Sequence, residues 1–196
     1  NPHFLFNSLN AGAQLAMMED AEQTGIFVEK MADFFRYNVK KGQEDATLGE
    51  ELEAVDNYIY ILNVRFAGDI HFNKDVDESL ENVRVPSMIL QPVVENAVNH
   101  GIRDIEWEGK IHLTVTGDAD YIRISVKDNG KGMTPEQIES VLSGNKEHCN
   151  EQSDSTGIGM NNVISRLELY YEEPGLVEIN SDGENKGTEV VIYIPV

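Results

Sequence analysis

The 196-residue chain has ordinary hydrophobic (40%) and charged (26%) contents, as expected for a folded protein long enough to bury a core. Its formal net charge of −20 argues against a nucleic-acid partner, because binding to phosphates requires basic surface. One cysteine, Cys149, cannot form an internal disulfide, which favours a reducing compartment, and no apolar run approaches the roughly 20 residues of a membrane-spanning helix.

Three helices are predicted before any strand. The first covers residues 2–18, and the second runs from about Asp20 to Lys40; both carry apolar residues at three- and four-residue spacing. The third begins at Thr47-Leu48-Gly49-Glu50, which is a capping box, and continues to about Phe66. Consecutive amphipathic helices of this kind indicate a hairpin or bundle that also dimerises.

The remainder of the chain alternates between strand and helix patterns. Strands are predicted at 70–76, 111–115, 121–126, 176–180 and 188–196, and helices at 86–101, 134–142 and 157–171. Residues 143–156 are polar and lack apolar periodicity, which is typical of a disordered loop or of a lid over a site. Strands with helices on one face predict an α/β sandwich, and hence an α+β chain overall.

The predicted helix 86–101 carries a polar stripe. Asn96, Asn99, His100 and Arg103 follow one another at i, i+3, i+4 and i+7. A solvent-exposed face explains this spacing equally well. Asparagine is, however, a poor helix former, and its amide oxygen is a ligand that Mg²⁺ accepts. We therefore predict that Asn96 is a metal ligand.

Two glycine motifs follow apolar segments. In Asp128-Asn129-Gly130-Lys131-Gly132 the glycines permit a tight turn, and the acid can accept a hydrogen bond from an exocyclic amine such as that of adenine. A plain turn is the alternative. Gly157 and Gly159 are placed at a predicted helix start, where free amides attract anions. Each motif is weak alone; their order along the chain, ending in the strand that bears Gly187-Thr188, is specific.

This order of motifs resembles the Bergerat-fold (GHKL) ATP-binding superfamily, and the chain as a whole resembles the LytS-like family of sensor histidine kinases. The resemblance runs essentially from end to end. Its most specific parts are residues 1–7 and 90–101, and it includes Arg36-Tyr37, Leu48-Gly49-Glu50-Glu51-Leu52 and Arg166-Leu167.

The resemblance implies that ATP with Mg²⁺ phosphorylates His3, which then passes the phosphoryl group to an aspartate of a response-regulator receiver domain. It implies a role for the following site residues: Asn96 holds Mg²⁺, His100 lies beside the phosphates, Asp128 reads adenine with Thr188, and Gly130, Gly132, Gly157 and Gly159 shape the phosphate pocket and hinge the lid. It further implies a homodimeric helical phosphotransfer module over 1–68 and a Bergerat α/β sandwich with a mixed sheet over 69–196. The chain begins inside a motif, so we expect it to be the cytoplasmic part of a membrane-anchored bacterial sensor whose membrane segment lies upstream.

Some positions depart from the family pattern. Asn99 and Asn161 stand where relatives commonly have basic residues, so neutralisation of the phosphates would fall on Mg²⁺, on helix dipoles and on Lys131, Lys146 or Arg103. These departures predict weak nucleotide affinity with a steep Mg²⁺ dependence.

The phosphoacceptor region also departs from other histidine kinases. His3 is followed by Phe4 instead of an acid; since imidazole is largely neutral at neutral pH, either no adjacent base is required or the base comes from elsewhere. Asn7 lies one helical turn after His3, where it could orient a water that dephosphorylates the partner.

Three other functions compete with this interpretation. An ATP hydrolase of the same fold would need a glutamate where Pro92 stands, and Glu95 lies about 100° round the helix from Asn96. A serine/threonine kinase of anti-sigma-factor type would not need the helical module or His3. A dimeric adaptor with decayed nucleotide binding is consistent with the two missing cations.

Overall fold

The computed structural model describes residues 8, 11–12, 15, 18, 21–40, 45–66, 70–103, 105–144 and 154–196. The helices are α1 (Ala21–Lys40), α2 (Leu48–Arg65), α3 (Leu90–Asn96), which continues as a π-helix over Ala97–Ile102, α4 (Pro135–Ser143) and α5 (Asp154–Tyr171). The strands are β1 (Asp45–Thr47), β2 (Ile70–Val76), β3 (Arg84–Pro86), β4 (Gly109–Gly117), β5 (Tyr121–Asp128), β6 (Val177–Asn180) and β7 (Glu189–Pro195), with a 3₁₀ turn at Glu78–Leu80. Most of the predicted first helix, 2–18, lies outside the described residues; those described between 8 and 18 are helical.

Helices α1 and α2 form an antiparallel hairpin whose apolar faces meet. Phe34 of α1 is buried and stacks on Tyr58 of α2, with ring centroids 5.8 Å apart. The predicted capping box at the start of α2 is confirmed: the Glu50 amide donates to Thr47 Oγ1 at 3.2 Å, and the Thr47 amide donates to Glu50 Oε2 at 2.9 Å. None of the described helices combines the length and the apolar character needed to cross a membrane.

A mixed five-stranded sheet in the order β2-β4-β5-β7-β6 confirms the predicted α+β sandwich. Strand β2 runs parallel to β4, and the other neighbours are antiparallel. Leu113, Val115 and Ile124 point to the buried face, on which α3, the π-helix and α5 pack. The opposite face is polar and carries an ion pair of 2.9 Å between Arg123 and Glu189. The helices therefore cover one face and leave one end of the strands for a site.

The predicted bounds of two helices need correction. The helix predicted at 86–101 begins only at Leu90, because Pro86 is held in β3, which pairs antiparallel with β1. Proline locks its own φ and favours extended backbone before it, so strand geometry wins at this position. From Ala97 this helix is a π-helix, and Arg103 after it is extended (φ −72°, ψ 135°). Helix α5 begins at Asp154, three residues before its predicted start.

Candidate nucleotide-binding site

Asp128 lies at the last position of β5, on the face that the helices cover. Strand alternation places it on the same side as the buried Val126, so its carboxyl group enters the interior, and the residue is only 5% exposed. Its Oδ1 accepts hydrogen bonds from the amides of Gly130 at 2.8 Å and Thr188 at 3.3 Å. Burial raises the pKa of Asp128, and these two amides oppose that rise. The predicted pair of Asp128 and Thr188 is thus brought together.

The carboxyl group of Asp128 fits only because Gly101 has no side chain. A Cβ at Gly101 would lie 2.7 Å from Asp128 Cγ, and a Cβ at Gly130 would lie 2.0 Å from the Gly101 carbonyl oxygen. That carbonyl accepts a hydrogen bond from the Lys131 amide at 3.0 Å. At Gly132, φ is +70°, and a Cβ would lie 2.0 Å from the Gly183 carbonyl oxygen. The end of the π-helix and the Asp-Asn-Gly turn therefore pack backbone to backbone around one carboxylate.

Asn129, between Asp128 and Gly130, serves the scaffold. Its side chain accepts from the Lys110 amide at 2.7 Å and donates to the Glu108 carbonyl at 2.9 Å. Its own carbonyl accepts from the Trp107 indole at 2.8 Å. These bonds hold the segment before β4 against the turn.

Asn96 ends α3 and carries an unpartnered buried oxygen. Its Oδ1 has no hydrogen-bond partner among the described residues. A buried amide oxygen in that state is costly unless something binds it. Oxygen is also what Mg²⁺ prefers as a ligand, so the residue present fits the predicted metal role.

The polar stripe is only partly preserved by the structure. The π-helix changes the angular spacing after Asn96, so the i+7 argument that aligned Arg103 with Asn96 is wrong. Asn99 is exposed and His100 is half-buried. The pKa of His100 is lowered by its burial and then by the charges of Lys131 and Arg103. His100 therefore lies in a locally positive region of an otherwise acidic protein, together with Lys131 and Arg103. Arg103 contributes to this region although it lies beyond the end of the π-helix.

The second glycine motif is differently placed from its prediction. Gly157 and Gly159 lie inside α5, not at its start, because the helix begins at Asp154. A Cβ at Gly159 would lie 3.9 Å from Pro92 Cβ, an ordinary contact between α5 and α3. The predicted helix 134–142 is confirmed as α4, with a capping box at Thr134 and Gly144 at its end (φ +68°). Residues 145–153, which include Lys146, lie outside the described residues.

The predicted phosphoacceptor His3 and its neighbour Asn7 also lie outside the described residues, so both remain predictions. Sequence reasoning missed Glu51 as a contact of the site. Its carboxylate accepts hydrogen bonds from the amides of Met88 and Ile89, which precede α3, and of Leu90, the first residue of α3. The sequence does offer one signal: Glu51 directly follows Glu50, and a capping box requires only the first of these two glutamates.

Comparison with known protein families gives two matches that together cover most of the chain. The model for "Histidine kinase" matches residues 1–70. The model for "Histidine kinase-, DNA gyrase B-, and HSP90-like ATPase" matches residues 84–196.

Curated relatives match along the chain. Sensor histidine kinase YpdA of Escherichia coli is 34% identical, and sensor histidine kinase YesM of Bacillus subtilis is 30% identical. Each alignment covers all of this chain and 32% of the relative, and the same holds for the sensor protein LytS of Streptococcus agalactiae at 30% identity. The chain thus spans about a third of the length of these relatives.

Solved structures share the fold. The catalytic domain of histidine kinase ThkA aligns with a TM-score of 0.54 and 22% identity, over 78% of this chain and 98% of that domain. A histidine kinase domain from a blue-light-activated kinase of Erythrobacter litoralis aligns with a TM-score of 0.53 and 22% identity, over 86% of this chain and 72% of the other.

Proposed function

Because the chain belongs to the histidine kinase-, DNA gyrase B- and HSP90-like ATPase family and is similar along its length to sensor histidine kinases, we propose that it phosphorylates its own His3 from ATP and passes the group to a receiver-domain aspartate of a response regulator. The observation that carries this proposal is the buried Asp128 carboxylate in its cradle of glycines. Gly101 and Gly130 leave room for that carboxylate where a Cβ would collide with it or with the backbone.

Each site residue has a part in the proposed reaction. Asp128 accepts a hydrogen bond from the exocyclic amine of adenine, and the Thr188 amide holds the carboxylate in place. Asn96 is the residue that would hold Mg²⁺, which would offset the charge of the triphosphate. His100, with Lys131 and Arg103 near it, faces the phosphates.

The transfer step needs little acid–base chemistry from the protein. An unprotonated ring nitrogen of His3 attacks the γ-phosphorus, and a nitrogen–phosphorus bond forms as the bond to the β,γ-bridging oxygen breaks. ADP leaves with the bond's electron pair, and the other ring nitrogen loses its proton to solvent. Since imidazole is largely neutral at pH 7, the absence of an acid after His3 is compatible with this step. Asn7, one turn later, is proposed to orient the water that reverses the partner's phosphorylation.

Two residues of α3, Pro92 and Glu95, argue against hydrolysis of ATP by water. Pro92 stands at the position of the base in hydrolytic relatives and has no proton-accepting group. Glu95 accepts a hydrogen bond from the Gln91 side chain at 2.8 Å, and its charge raises the pKa of Tyr58 in α2 after burial does. Glu95 therefore faces the helical hairpin, where it is poorly placed to activate a water on ATP.

The larger assembly is proposed on the same family grounds. We propose that residues 1–68 act as a homodimeric phosphotransfer module and that 69–196 bind ATP, within the cytoplasmic part of a membrane-anchored sensor. Support comes from the names of the relatives, which are sensor kinases about three times as long as this chain.

Incubation with γ-labelled ATP tests the proposal. Wild type should acquire an acid-labile label that is lost in His3→Gln and strongly reduced in Asn96→Ala. The matched control Asn99→Ala removes an exposed asparagine three residues later and should leave the label unchanged. Asn7→Ala should be labelled normally but should slow dephosphorylation of the regulator.

Each competing function predicts another result. A hydrolase would release phosphate equally from wild type and His3→Gln. A serine/threonine kinase would give an acid-stable label on a partner. A decayed adaptor would bind no ATP and acquire no label, and any of these three outcomes would overturn the proposal.

A further inference from the structure

The helix that carries Asn96 is capped from another part of the chain. Glu51 of α2 is 1% exposed, and its carboxylate accepts hydrogen bonds from the amides of Met88 at 2.6 Å, Ile89 at 2.9 Å and Leu90 at 2.8 Å. The N-cap residue Ile89 makes no side-chain capping bond of its own. A buried carboxylate with three amide donors is strongly held, since each donor would otherwise be unsatisfied.

The same carboxylate is bound by the end of α1. The Tyr37 hydroxyl donates a hydrogen bond to Glu51 Oε1. Beside it, the side-chain amides of Asn38 and Gln91 exchange hydrogen bonds of 3.3 Å and 3.2 Å. The pKa of Tyr37 is raised by burial and then by the charge of Glu51, which keeps the phenol protonated as a donor. Both helices of the hairpin are thus joined to the start of α3.

The segment before α3 is fixed from the opposite side as well. The Arg166 guanidinium of α5 donates to the Ser87 carbonyl. Met88 adopts a left-handed backbone conformation (φ +63°), which a residue with a side chain holds only when its surroundings impose it. A displacement of the turn at Ser87 and Met88 therefore has to break several bonds at once.

These contacts bear on Asn96 because α3 is short and rigid. Leu90 and Asn96 are the ends of a seven-residue helix, so about 9 Å of helix axis separates the amide bound by Glu51 from the metal-binding amide. We propose that Glu51 and Tyr37 are positioning residues: they transmit the position of the α1–α2 hairpin to Asn96 and so set the Mg²⁺-dependent affinity of the site for ATP. The inference rests on the proposed function, in which Asn96 holds Mg²⁺ for ATP.

A pair of adjacent glutamates provides the test. Glu51→Gln keeps the shape of the side chain but replaces an acceptor oxygen with a donor group that faces the amides of Met88, Ile89 and Leu90. Glu50→Gln changes the neighbouring residue, whose oxygen caps its own helix and can be replaced by the amide oxygen. ATP affinity is measured by calorimetry in Mg²⁺ and in excess chelator. We expect Glu51→Gln to weaken binding in Mg²⁺ about tenfold with little change in chelator, and Glu50→Gln to leave both values unchanged.

Tyr37→Phe gives a second, milder variant that removes one hydroxyl and keeps the three amide bonds. It should lower the ratio of the ATP affinity in Mg²⁺ to the ATP affinity in chelator about two- to fivefold. If Glu51→Gln does not fold, this variant alone tests the positioning role. Hydrogen exchange provides a readout that needs no nucleotide: the amides of residues 90–98 should exchange faster in Tyr37→Phe and Glu51→Gln than in Glu50→Gln.

The outcomes separate the two proposals. If the melting temperature falls in Tyr37→Phe or Glu51→Gln while the affinity ratio and the exchange of residues 90–98 stay as in wild type, the role is merely structural and the inference is wrong. If wild type itself shows no Mg²⁺-dependent ATP binding, the proposed function fails, whereas faster exchange confined to the two variants would still support the positioning contact.

Discussion

Replacement of Gly101 by alanine would test the close approach between the π-helix and Asp128. The new Cβ would lie 2.7 Å from both Asp128 Cγ and Oδ1, and 2.9 Å from Oδ2. Ordinary contacts between such atoms are about 3.5–4.0 Å, so the carboxyl group must move by about 1 Å. The surrounding backbone cannot easily move to make room, because the backbones of Gly101 and Gly130 are already in contact.

The cost follows from the bonds that this shift breaks. Asp128 Oδ1 accepts from the Gly130 amide at 2.8 Å and from the Thr188 amide at 3.3 Å. Hydrogen bonds to a charged group contribute about 1.5–3 kcal/mol each, so losing most of this pair costs about 2–4 kcal/mol. Alanine restores about 0.5–1 kcal/mol relative to glycine in a helix. The free energy of unfolding should fall by about 1–3 kcal/mol, which corresponds to about 3–10 °C in melting temperature for a chain of this size.

The assay compares two glycine substitutions in helices. In Gly25→Ala of α1, the new Cβ meets no atom within 4 Å, so that variant should melt at or slightly above the wild-type temperature. ATP affinity should fall about tenfold or more in Gly101→Ala, since the proposed adenine acceptor Asp128 is displaced, and stay unchanged in Gly25→Ala. If Gly101→Ala melts and binds ATP as Gly25→Ala does, the steric argument is refuted.

Two further predictions concern charge at the phosphates. Introducing lysine at Asn99 and at Asn161 should tighten ATP binding in excess chelator by about tenfold and flatten its Mg²⁺ dependence; tight chelator-insensitive binding by wild type would contradict the reasoning. The pKa of His100 is lowered by burial, Lys131 and Arg103, so the folded state binds this proton less readily than the unfolded state, and its stability should fall as the pH drops below the ordinary imidazole value of about 6.5. A bound polyphosphate favours the protonated His100 ring, so ATP binding near pH 6 should be accompanied by the uptake of a proton. This uptake can be measured by calorimetry in buffers of different ionisation enthalpy. Equal uptake by His100→Gln would show that another group is responsible.

Local chemistry made much of the fold predictable. A capping box depends on a side chain three residues away; the one predicted at Thr47 appears where the sequence places it, and α4 begins after Thr134 as predicted. The β4–β5 hairpin follows from alternating apolar residues on either side of a polar turn. The motif that begins at Asp128 was predicted to follow the strand 121–126, whereas β5 extends to Asp128 itself, and strand alternation then turns its side chain to the covered face.

Features set by distant partners were not predictable. The three-residue strands β1 and β3 pair only with each other, and nothing near Asp45 marks a strand. The π-helix at Ala97 contains residues that would also support an α-helix, and the need for Gly101 arises only when Asp128 packs against it. The start of α5 was predicted at Gly157 because of the glycine motif there, whereas the helix begins at Asp154, among the polar residues before that motif.

The pairing of β1 with β3 bears on how the chain folds and how it can be divided. Asp45 pairs with Pro86, so the ladder closes a loop that contains the whole of α2 and β2, and its entropic cost is recovered only when both sides are folded. A cut near residue 68 would leave each strand as an open edge and would expose the buried Leu48 and Val85 on opposite fragments. We therefore expect the two parts proposed on either side of residue 68 to fold cooperatively, and either part produced alone to be prone to edge-to-edge association.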